Sequence, residues 1–105
     1  ELETSVREKL PVVVVVYNDS GYGALRLFQK VQHQGRYLGS DYGQTDLAKL
    51  AEAYGARGER IERPSDLAPA LKRALAADVT TVLDVRTDPW QAHYRAPEFA
   101  EFHKF

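Results

Sequence analysis

The sequence of 105 residues contains no cysteine and no methionine. Without cysteine the protein can form neither a disulfide nor a zinc–thiolate site, and it has no thiol nucleophile. That composition fits a reducing compartment, and we expect a cytoplasmic protein. Methionine is missing even at position 1, and the helix-like segment 2–10 begins without a capping side chain. We therefore expect this chain to be part of a longer protein.

A strong charge of either sign and a long hydrophobic run are also missing. The chain has 14 Lys+Arg against 15 Asp+Glu, a net charge of −1. This balance predicts no nucleic-acid partner and no binding to an anionic membrane. The longest apolar run, residues 12–17, is too short to span a bilayer, and no segment resembles a signal peptide. The composition, 44% hydrophobic and 28% charged, is that of one small globular domain.

Strand-like runs separated by helix-like segments predict the fold. Residues 12–17 are apolar at every position, which is typical of a strand buried on both faces of a parallel sheet. Residues 80–85 are predicted to form a further buried strand, and residues 57–62 a weaker, edge-like one. Helices between strands imply right-handed crossovers and parallel pairing. The predicted fold class is therefore α/β, a parallel sheet with flanking helices.

Four helices are predicted, over residues 2–10, from about Tyr22, from Thr45 and from Ser65. Thr45 and Ser65 are the predicted N-caps of the last two, and Gly55 is the predicted stop of the third. Residues 34–44 contain three glycines and no hydrophobic period, so they are predicted to be a loop. The residues predicted to face inward are Leu2, Val6 and Leu10; Ala24, Leu27, Phe28 and Val31; Leu47, Leu50, Ala51 and Tyr54; and Leu67, Ala70, Leu71 and Ala74.

The turn that follows the first strand carries the chemistry. Asn18, Asp19 and Ser20 supply side-chain oxygens, and Gly21 and Gly23 let the backbone turn sharply and approach a ligand closely. One carboxylate among oxygen donors suits Mg²⁺, and the N–H groups at the start of the next helix favour a phosphate. A cation between them would let the acid and a diphosphate share the turn. The alternative is that Asp19 or Ser20 simply caps the helix.

Standard phosphate loops do not decide between these interpretations. The sequence has no Gly-rich loop ending in Lys-Ser/Thr, and "GYGALR" lacks the third glycine of the dinucleotide-binding pattern. An ordered series of segments is more informative: "ELETSVREKLPVVVVVYNDSGYGALR", "TDLAKLAEAYGARGERIERPSDLAPALKRAL" and "TTVLDVRTDP". Together they resemble the diphosphate-binding domain of thiamine-diphosphate-dependent enzymes of the acetolactate synthase, pyruvate decarboxylase and benzoylformate decarboxylase group. The similarity extends to about Trp90.

The resemblance implies a flavodoxin-like domain, with residues 1–89 as its C-terminal part and residues 90–105 as an aromatic tail. It further implies that a Gly-Asp-Gly motif, which opens the family's cofactor site, lies a few residues before Glu1. The glutamate that activates the cofactor in this family belongs to a different domain, usually of a neighbouring subunit. We therefore expect a homo-oligomer, a dimer or tetramer, and no catalytic residue within this chain.

The resemblance also implies roles for individual residues, with thiamine diphosphate and Mg²⁺ as cofactors. Asp19 matches the family's metal-ligating side chain, and Gly21 matches the position whose carbonyl completes the metal shell. The implied activity is decarboxylation or carboligation of a 2-oxo acid, and "GYGALR" is most similar to the benzoylformate decarboxylase branch. The residues implied to contact the cofactor are Asn18, Ser20, Tyr22 and Gly23, and those implied to border the substrate are Ala24 and Leu25.

Two other interpretations of the whole chain stay open at this point. One is a non-enzymatic α/β interaction or regulatory module in which Asp19 is only a helix cap, and the other is a relative whose site has decayed. Arg26 is predicted to pair with a carboxylate. Asp41 and Tyr42 lie in the loop, where they either shape specificity or form an ordinary turn. The three histidines, His33, His93 and His103, have no ligand spacing. The aromatic tail is predicted to pack on the sheet or a partner subunit, or to close over the site.

Overall fold

The computed structural model describes residues 1–89, so the aromatic tail over residues 90–105 lies outside the described residues. The predicted elements are present in the predicted order. Their bounds are α1 (Leu2–Arg7), β1 (Val13–Asn18), α2 (Gly23–Gln32), α3 (Leu47–Ala53), β2 (Arg57–Ile61), α4 (Pro64–Ala76) and β3 (Thr81–Arg86). Residues 33–46 contain neither a helix nor a strand, as predicted for the loop.

The chain divides into two compact units. The first comprises residues 1–18 and 45–87, and it holds the sheet with α1, α3 and α4. Among the described residues, the second comprises 19–44 and 88–89, and it holds the polar turn, α2 and the glycine-rich loop.

A parallel sheet of three strands forms the centre of the first unit, in the order β1-β3-β2. Thr81 at the start of β3 is in register with Val13 of β1 and with Arg57 of β2. The central strand β3 is buried along almost its whole length, which confirms the prediction for residues 80–85. Strand β2 lies at an edge of the sheet, also as predicted.

Helices cover both faces of this sheet. On one face α4 packs against β2 and β3, and the residues predicted to face inward from α4 do so. On the other face α3 approaches β2 so closely that a Cβ at Gly58 would overlap the backbone of Ala48. The core of the first unit consists of Ile61, Ala70, Ala74, Leu83 and Val85, with Val13, Val15, Leu67 and Leu71 partly buried against it.

The prediction that β1 is buried on both faces is wrong for the described residues. Val14 is 37% exposed and Tyr17 is 68% exposed. The reason is the strand order: β1 is an edge strand of the described sheet and pairs only with β3. Its apolar run is therefore half covered, and only Asn18 at its carboxyl end is buried.

The predicted apolar stripe of α2 is also wrong. Ala24, Phe28 and Val31 are exposed, and Leu27 is half-buried. The buried residue of this helix is Arg26. A guanidinium can be buried at tolerable cost only when it is paired and hydrogen-bonded, which is the case for Arg26.

Hydrophobic burial and capping differ from prediction at three further helices. Leu10 lies beyond the end of α1 and is exposed. Leu50 of α3 and Tyr54, the C-cap residue that follows this helix, are exposed, whereas Ala48 and Ala51 are buried. Small residues face the sheet here because α3 lies so close to β2.

Both predicted N-caps are displaced along the chain. The cap of α3 is Asp46, whose side chain accepts a hydrogen bond from Lys49 N at 2.9 Å, rather than Thr45. Helix α4 begins at Pro64 rather than after Ser65, because the fixed φ of proline suits the first helical position. Gly55, with φ of 83°, follows the C-cap of α3 as predicted.

None of the helices within residues 1–89 has the length and apolar character needed to cross a membrane.

Candidate functional site

The polar turn begins where β1 ends and has a specific backbone structure. Asp19 Oδ1 accepts a hydrogen bond from Gly21 N at 3.1 Å, which makes an Asx-type turn. Ser20, between them, has a φ of 57°. Helix α2 then begins at Gly23 with Tyr22 as its N-cap residue, and the Tyr22 side chain makes no capping hydrogen bond. The N-cap position of α2 is therefore Tyr22, not Asp19 or Ser20 as the alternative interpretation has it.

The glycine-rich loop pairs with this turn inside the second unit. Gly21 and Asp41 form an antiparallel bridge. On either side of it Tyr22 N donates to Ser40 O at 2.8 Å, and Tyr42 N donates to Ser20 O at 3.2 Å. These backbone bonds fix residues 40–42 beside the turn, so this part of the loop is more than an ordinary surface turn.

Two aromatic side chains extend from the paired segments. The rings of Tyr22 and Tyr42 meet edge to face with their centroids 5.2 Å apart. Both rings remain partly exposed. Nearby in sequence, Ser40 is buried, and its hydroxyl has no hydrogen-bond partner within the described residues.

Arg26 connects the turn to the loop. Its Nη1 lies 3.1 Å from Asp19 Oδ2, its Nε donates to Asp41 Oδ1 at 2.7 Å, and its Nη2 lies 2.6 Å from the same oxygen. The side chain is only 3% exposed. The prediction that Arg26 pairs with a carboxylate is confirmed, and it pairs with two.

Gly21 lacks a side chain because the guanidinium of Arg26 occupies the space beside its Cα. A Cβ at this position would overlap that guanidinium and would lie 2.8 Å from Ser40 O. Glycine is thus required at position 21 because the Arg26 guanidinium and Ser40 O lie too close for a side chain. It places the backbone of Gly21 directly against a buried positive charge.

The remaining predicted site residues are divided between the two units. Ala24 and Leu25 lie exposed in the first turn of α2, after Gly23, in the second unit. Asn18, in the first unit, is 2% exposed, and its Nδ2 donates to Asp84 Oδ1 at 2.9 Å and to Thr45 O at 3.4 Å.

Asp84 is a buried polar residue that the sequence pattern did not single out. It is completely buried on β3, and its Oδ2 accepts a hydrogen bond from Leu47 N, at the start of α3, at 3.3 Å. The sequence feature that could have indicated it is an acidic residue within the otherwise uncharged strand "TTVLDV". Such an acid needs hydrogen-bond donors, which Asn18 and the start of α3 supply.

The donor set of the turn fits a small divalent cation in part. Asp19 offers a carboxylate and Gly21 a carbonyl, both hard oxygen donors of the kind that Mg²⁺ prefers. No cluster of three or more His, Asp or Glu side chains suited to a metal occurs in residues 1–89. The described chain therefore offers at most part of a metal shell, with the rest left to water, phosphate or other protein groups.

The parallel sheet with helices on both faces defines the protein as an α/β domain. Its narrower identity comes from comparison with known families. Residues 1–85 match the family model described as "Thiamine pyrophosphate enzyme, C-terminal TPP binding domain"; thiamine pyrophosphate, or TPP, is another name for thiamine diphosphate. The chain belongs to this family, and the resemblance drawn from the sequence is confirmed.

Individual relatives agree with that assignment. The chain is 41% identical over 88 residues to an acetolactate synthase of Bacillus subtilis, an alignment that covers 84% of this chain and 15% of that protein. Among solved structures it is similar to a thiamine diphosphate-dependent 4-hydroxybenzoylformate decarboxylase from Rhodococcus jostii, with a TM-score of 0.77, 41% identity, and coverage of 83% of this chain and 16% of that one.

A benzoylformate decarboxylase from Polynucleobacter necessarius matches with the same TM-score of 0.77 at 28% identity, covering 84% of this chain and 17% of that one. The protein described here thus spans about a sixth of the length of the relatives it matches.

Proposed function

We propose that this chain supplies the Mg²⁺- and diphosphate-binding part of a thiamine-diphosphate-dependent enzyme that acts on 2-oxo acids. The observation that carries the proposal is the turn after β1. There a carboxylate and a glycine backbone precede a helix whose first turn carries no acidic residue. Family membership and the names of the relatives support the choice of cofactor.

In this proposal Asp19 and Gly21 hold Mg²⁺. A carboxylate has about four lone-pair positions, and those of Asp19 accept hydrogen bonds from Gly21 N and Arg26 Nη1. Lone pairs therefore remain for a metal ion. The Gly21 carbonyl is the second donor, as the family resemblance implies, and further ligands come from the diphosphate and from protein outside the described chain.

The proposed role of the surrounding residues is to bind and orient the diphosphate. Backbone N–H groups at the start of α2, from Gly23 onward, act at the positive end of the helix dipole, where an anion is favoured. Tyr22, whose own N–H donates to Ser40 O, borders them. Ser20 and Asn18 flank the metal-binding residue in sequence and support the turn. Because no acidic residue lies in the first turn of α2, nothing there opposes an anion.

The bound cofactor would supply the carbon–carbon chemistry, by adding to the substrate carbonyl and storing electrons after bond cleavage. This chain contributes binding and orientation only. The proposed reaction is decarboxylation or carboligation of a 2-oxo acid, and Ala24 and Leu25 border the substrate. Since the family resemblance implies an activating glutamate on another subunit, we further propose a homo-oligomer, a dimer or tetramer.

The proposal is tested by metal and cofactor titration of the full-length protein. Asp19→Ala removes the one side-chain ligand that the proposal assigns within residues 1–89, and we expect loss of Mg²⁺-dependent thiamine diphosphate binding with the fold retained. Asp19→Asn keeps a side-chain oxygen donor at the same position, and we expect it to retain binding. Glu52→Ala, at an exposed position of α3, is the control. Unchanged Mg²⁺-dependent affinity in Asp19→Ala would overturn the proposal.

A further inference from the structure

One guanidinium contacts both residues to which the proposed metal site assigns ligands. Arg26 Nη1 pairs with Asp19 Oδ2 at 3.1 Å, and the guanidinium fills the space beside the Cα of Gly21. The carboxylate and the backbone that would supply the second ligand are therefore fixed by the same buried side chain.

The same guanidinium is itself held in place by Asp41. Nε and Nη2 both contact Asp41 Oδ1, at 2.7 and 2.6 Å. Asp41 is in turn fixed by its bridge to Gly21 and by the backbone bonds of Ser40 and Tyr42 to the turn. The turn, Arg26 and the loop thus contact one another in a closed ring inside the second unit. Removing the guanidinium of Arg26 breaks this ring of contacts.

Charge alone would make Arg26 unfavourable for a metal site. A positive charge beside a metal-binding carboxylate repels the incoming cation, and at separations of a few ångströms that repulsion is on the order of a few kcal/mol near a protein surface. Asp41 offsets it, because the three charged groups of Asp19, Arg26 and Asp41 sum to −1, the same as Asp19 alone. The pair of Arg26 and Asp41 therefore adds geometric restraint without changing the net charge at the turn.

We propose that Arg26 is a positioning residue for the metal-binding turn, which holds Asp19 and Gly21 in the arrangement needed to bind the metal ion. In this proposal the negative charge of Asp41 compensates the positive charge of Arg26. This inference rests on the proposed function. It assigns Arg26 no contact with substrate or cofactor. If Arg26 has this role, the backbone shape of the turn depends on the Arg26 guanidinium, whereas the net charge of the turn does not.

A charge-matched double variant separates shape from charge. Arg26→Met combined with Asp41→Asn removes one positive and one negative charge, so the net charge at the turn stays at −1. The contacts of the guanidinium with Asp19 and Asp41 are lost. Arg26→Lys keeps the charge but cannot reproduce the fork that reaches two carboxylates. The matched control is Arg63→Met with Asp66→Asn, which removes an exposed ion pair of the same residue types at the start of α4.

The measurement is the half-saturating concentration of MgCl₂, and separately of CaCl₂, for thiamine diphosphate binding to the full-length protein. We expect Arg26→Met/Asp41→Asn to raise the value for Mg²⁺ by about tenfold or more, as is typical when a group that orients a metal ligand is removed. Arg26→Lys should show a smaller increase. The control should match the wild type.

The ratio of the half-saturating concentrations for Mg²⁺ and Ca²⁺ is a second readout. A loss of stability alone would not change this ratio. Mg²⁺ demands short, near-octahedral contacts, whereas Ca²⁺ accepts longer and more irregular ones. A loosened turn should therefore lose more affinity for Mg²⁺ than for Ca²⁺. A charge-matched variant that keeps wild-type affinity and wild-type metal preference would overturn the positioning role. Wild-type protein that binds thiamine diphosphate without any divalent metal would instead overturn the proposed function itself.

Discussion

Asn18 and Asp84 form a buried hydrogen bond between two strands of the sheet, Nδ2 to Oδ1 at 2.9 Å. Asn18 ends β1, and Asp84 lies in register between Val16 and Arg60 on the central strand. The second oxygen of Asp84 accepts from Leu47 N. One carboxylate thereby joins the carboxyl end of β1 to the start of α3.

The first prediction concerns this carboxylate. Asp84→Asn turns one acceptor oxygen into an NH₂ group, which then faces a donor, either Asn18 Nδ2 or Leu47 N. A buried donor left without an acceptor costs about 1–3 kcal/mol. We expect faster hydrogen exchange in β3 and α3 of the full-length protein, measured on peptides that cover these elements.

An exchange variant tests the pairing itself. Asn18→Asp with Asp84→Asn again places one amide opposite one carboxylate, so part of the lost protection should return. Recovery will be incomplete, because the new carboxylate at position 18 would face Thr45 O, where Nδ2 now donates. Equal exchange rates in the single and double variants would contradict a direct role for this hydrogen bond.

The second prediction compares two glycines of the second unit. Gly21→Ala would force a methyl group into the guanidinium of Arg26, whereas a Cβ at Gly43 would meet no atom within 4 Å. We expect Gly21→Ala to displace Arg26 and to cost about 1–3 kcal/mol, as overpacking does. Gly43→Ala should be close to neutral.

The measurement is hydrogen exchange of residues 19–44 in the full-length protein, together with Mg²⁺-dependent cofactor affinity. Only Gly21→Ala should lower both the protection of residues 19–44 from exchange and the Mg²⁺-dependent affinity for the cofactor. Similar losses in the two variants would show that the loop is merely intolerant of alanine.

The third prediction concerns Ala24. If Ala24 borders the substrate, Ala24→Ile should shift the relative kcat/KM values for 2-oxo acids of different size more than it changes cofactor affinity. The matched control is Ala68→Ile, the same enlargement at an exposed position of α4. An identical rate profile across small and large 2-oxo acids would count against a role in the substrate pocket.

The fourth prediction is a pH dependence in α4. The hydrogen bond from the Arg63 side chain lowers the pKa of Asp66 below its ordinary value of 3.8. A carboxyl group whose pKa is lowered by folding stabilises the folded state above its unfolded pKa, and this stabilisation is lost as the pH falls through the lower folded value. Protection of α4 amides should therefore decrease on acidification below 3.8.

Asp66→Asn provides the comparison, because it removes the titrating group and keeps the shape. The variant should lack this part of the acid-dependent loss, and its α4 should be less protected than that of the wild type near neutral pH. The effect will be small, since both side chains are exposed to solvent. An acid response identical in wild type and variant would contradict the assignment.

Local sequence patterns were sufficient to predict the fold class and the order of the elements. The apolar run before Asn18, the helical spacing of Leu67, Ala70 and Ala74, and the abrupt polar turn are local patterns, and each predicts its element without knowledge of the rest. The resemblance to the thiamine-diphosphate family likewise depended on short segments in a fixed order. Local patterns were enough for these inferences because strand and helix periodicity are properties of neighbouring residues.

Which residues are buried, and what the polar groups contact, became known from the three-dimensional structure. The spacing of Ala24, Phe28 and Val31 predicted a buried stripe, yet Arg26 is the buried residue of α2. Its partners Asp19 and Asp41 lie 7 and 15 residues away along the chain. Hydrogen bonds and ion pairs between distant residues depend on where the backbone places them, and that placement cannot be read from local spacing.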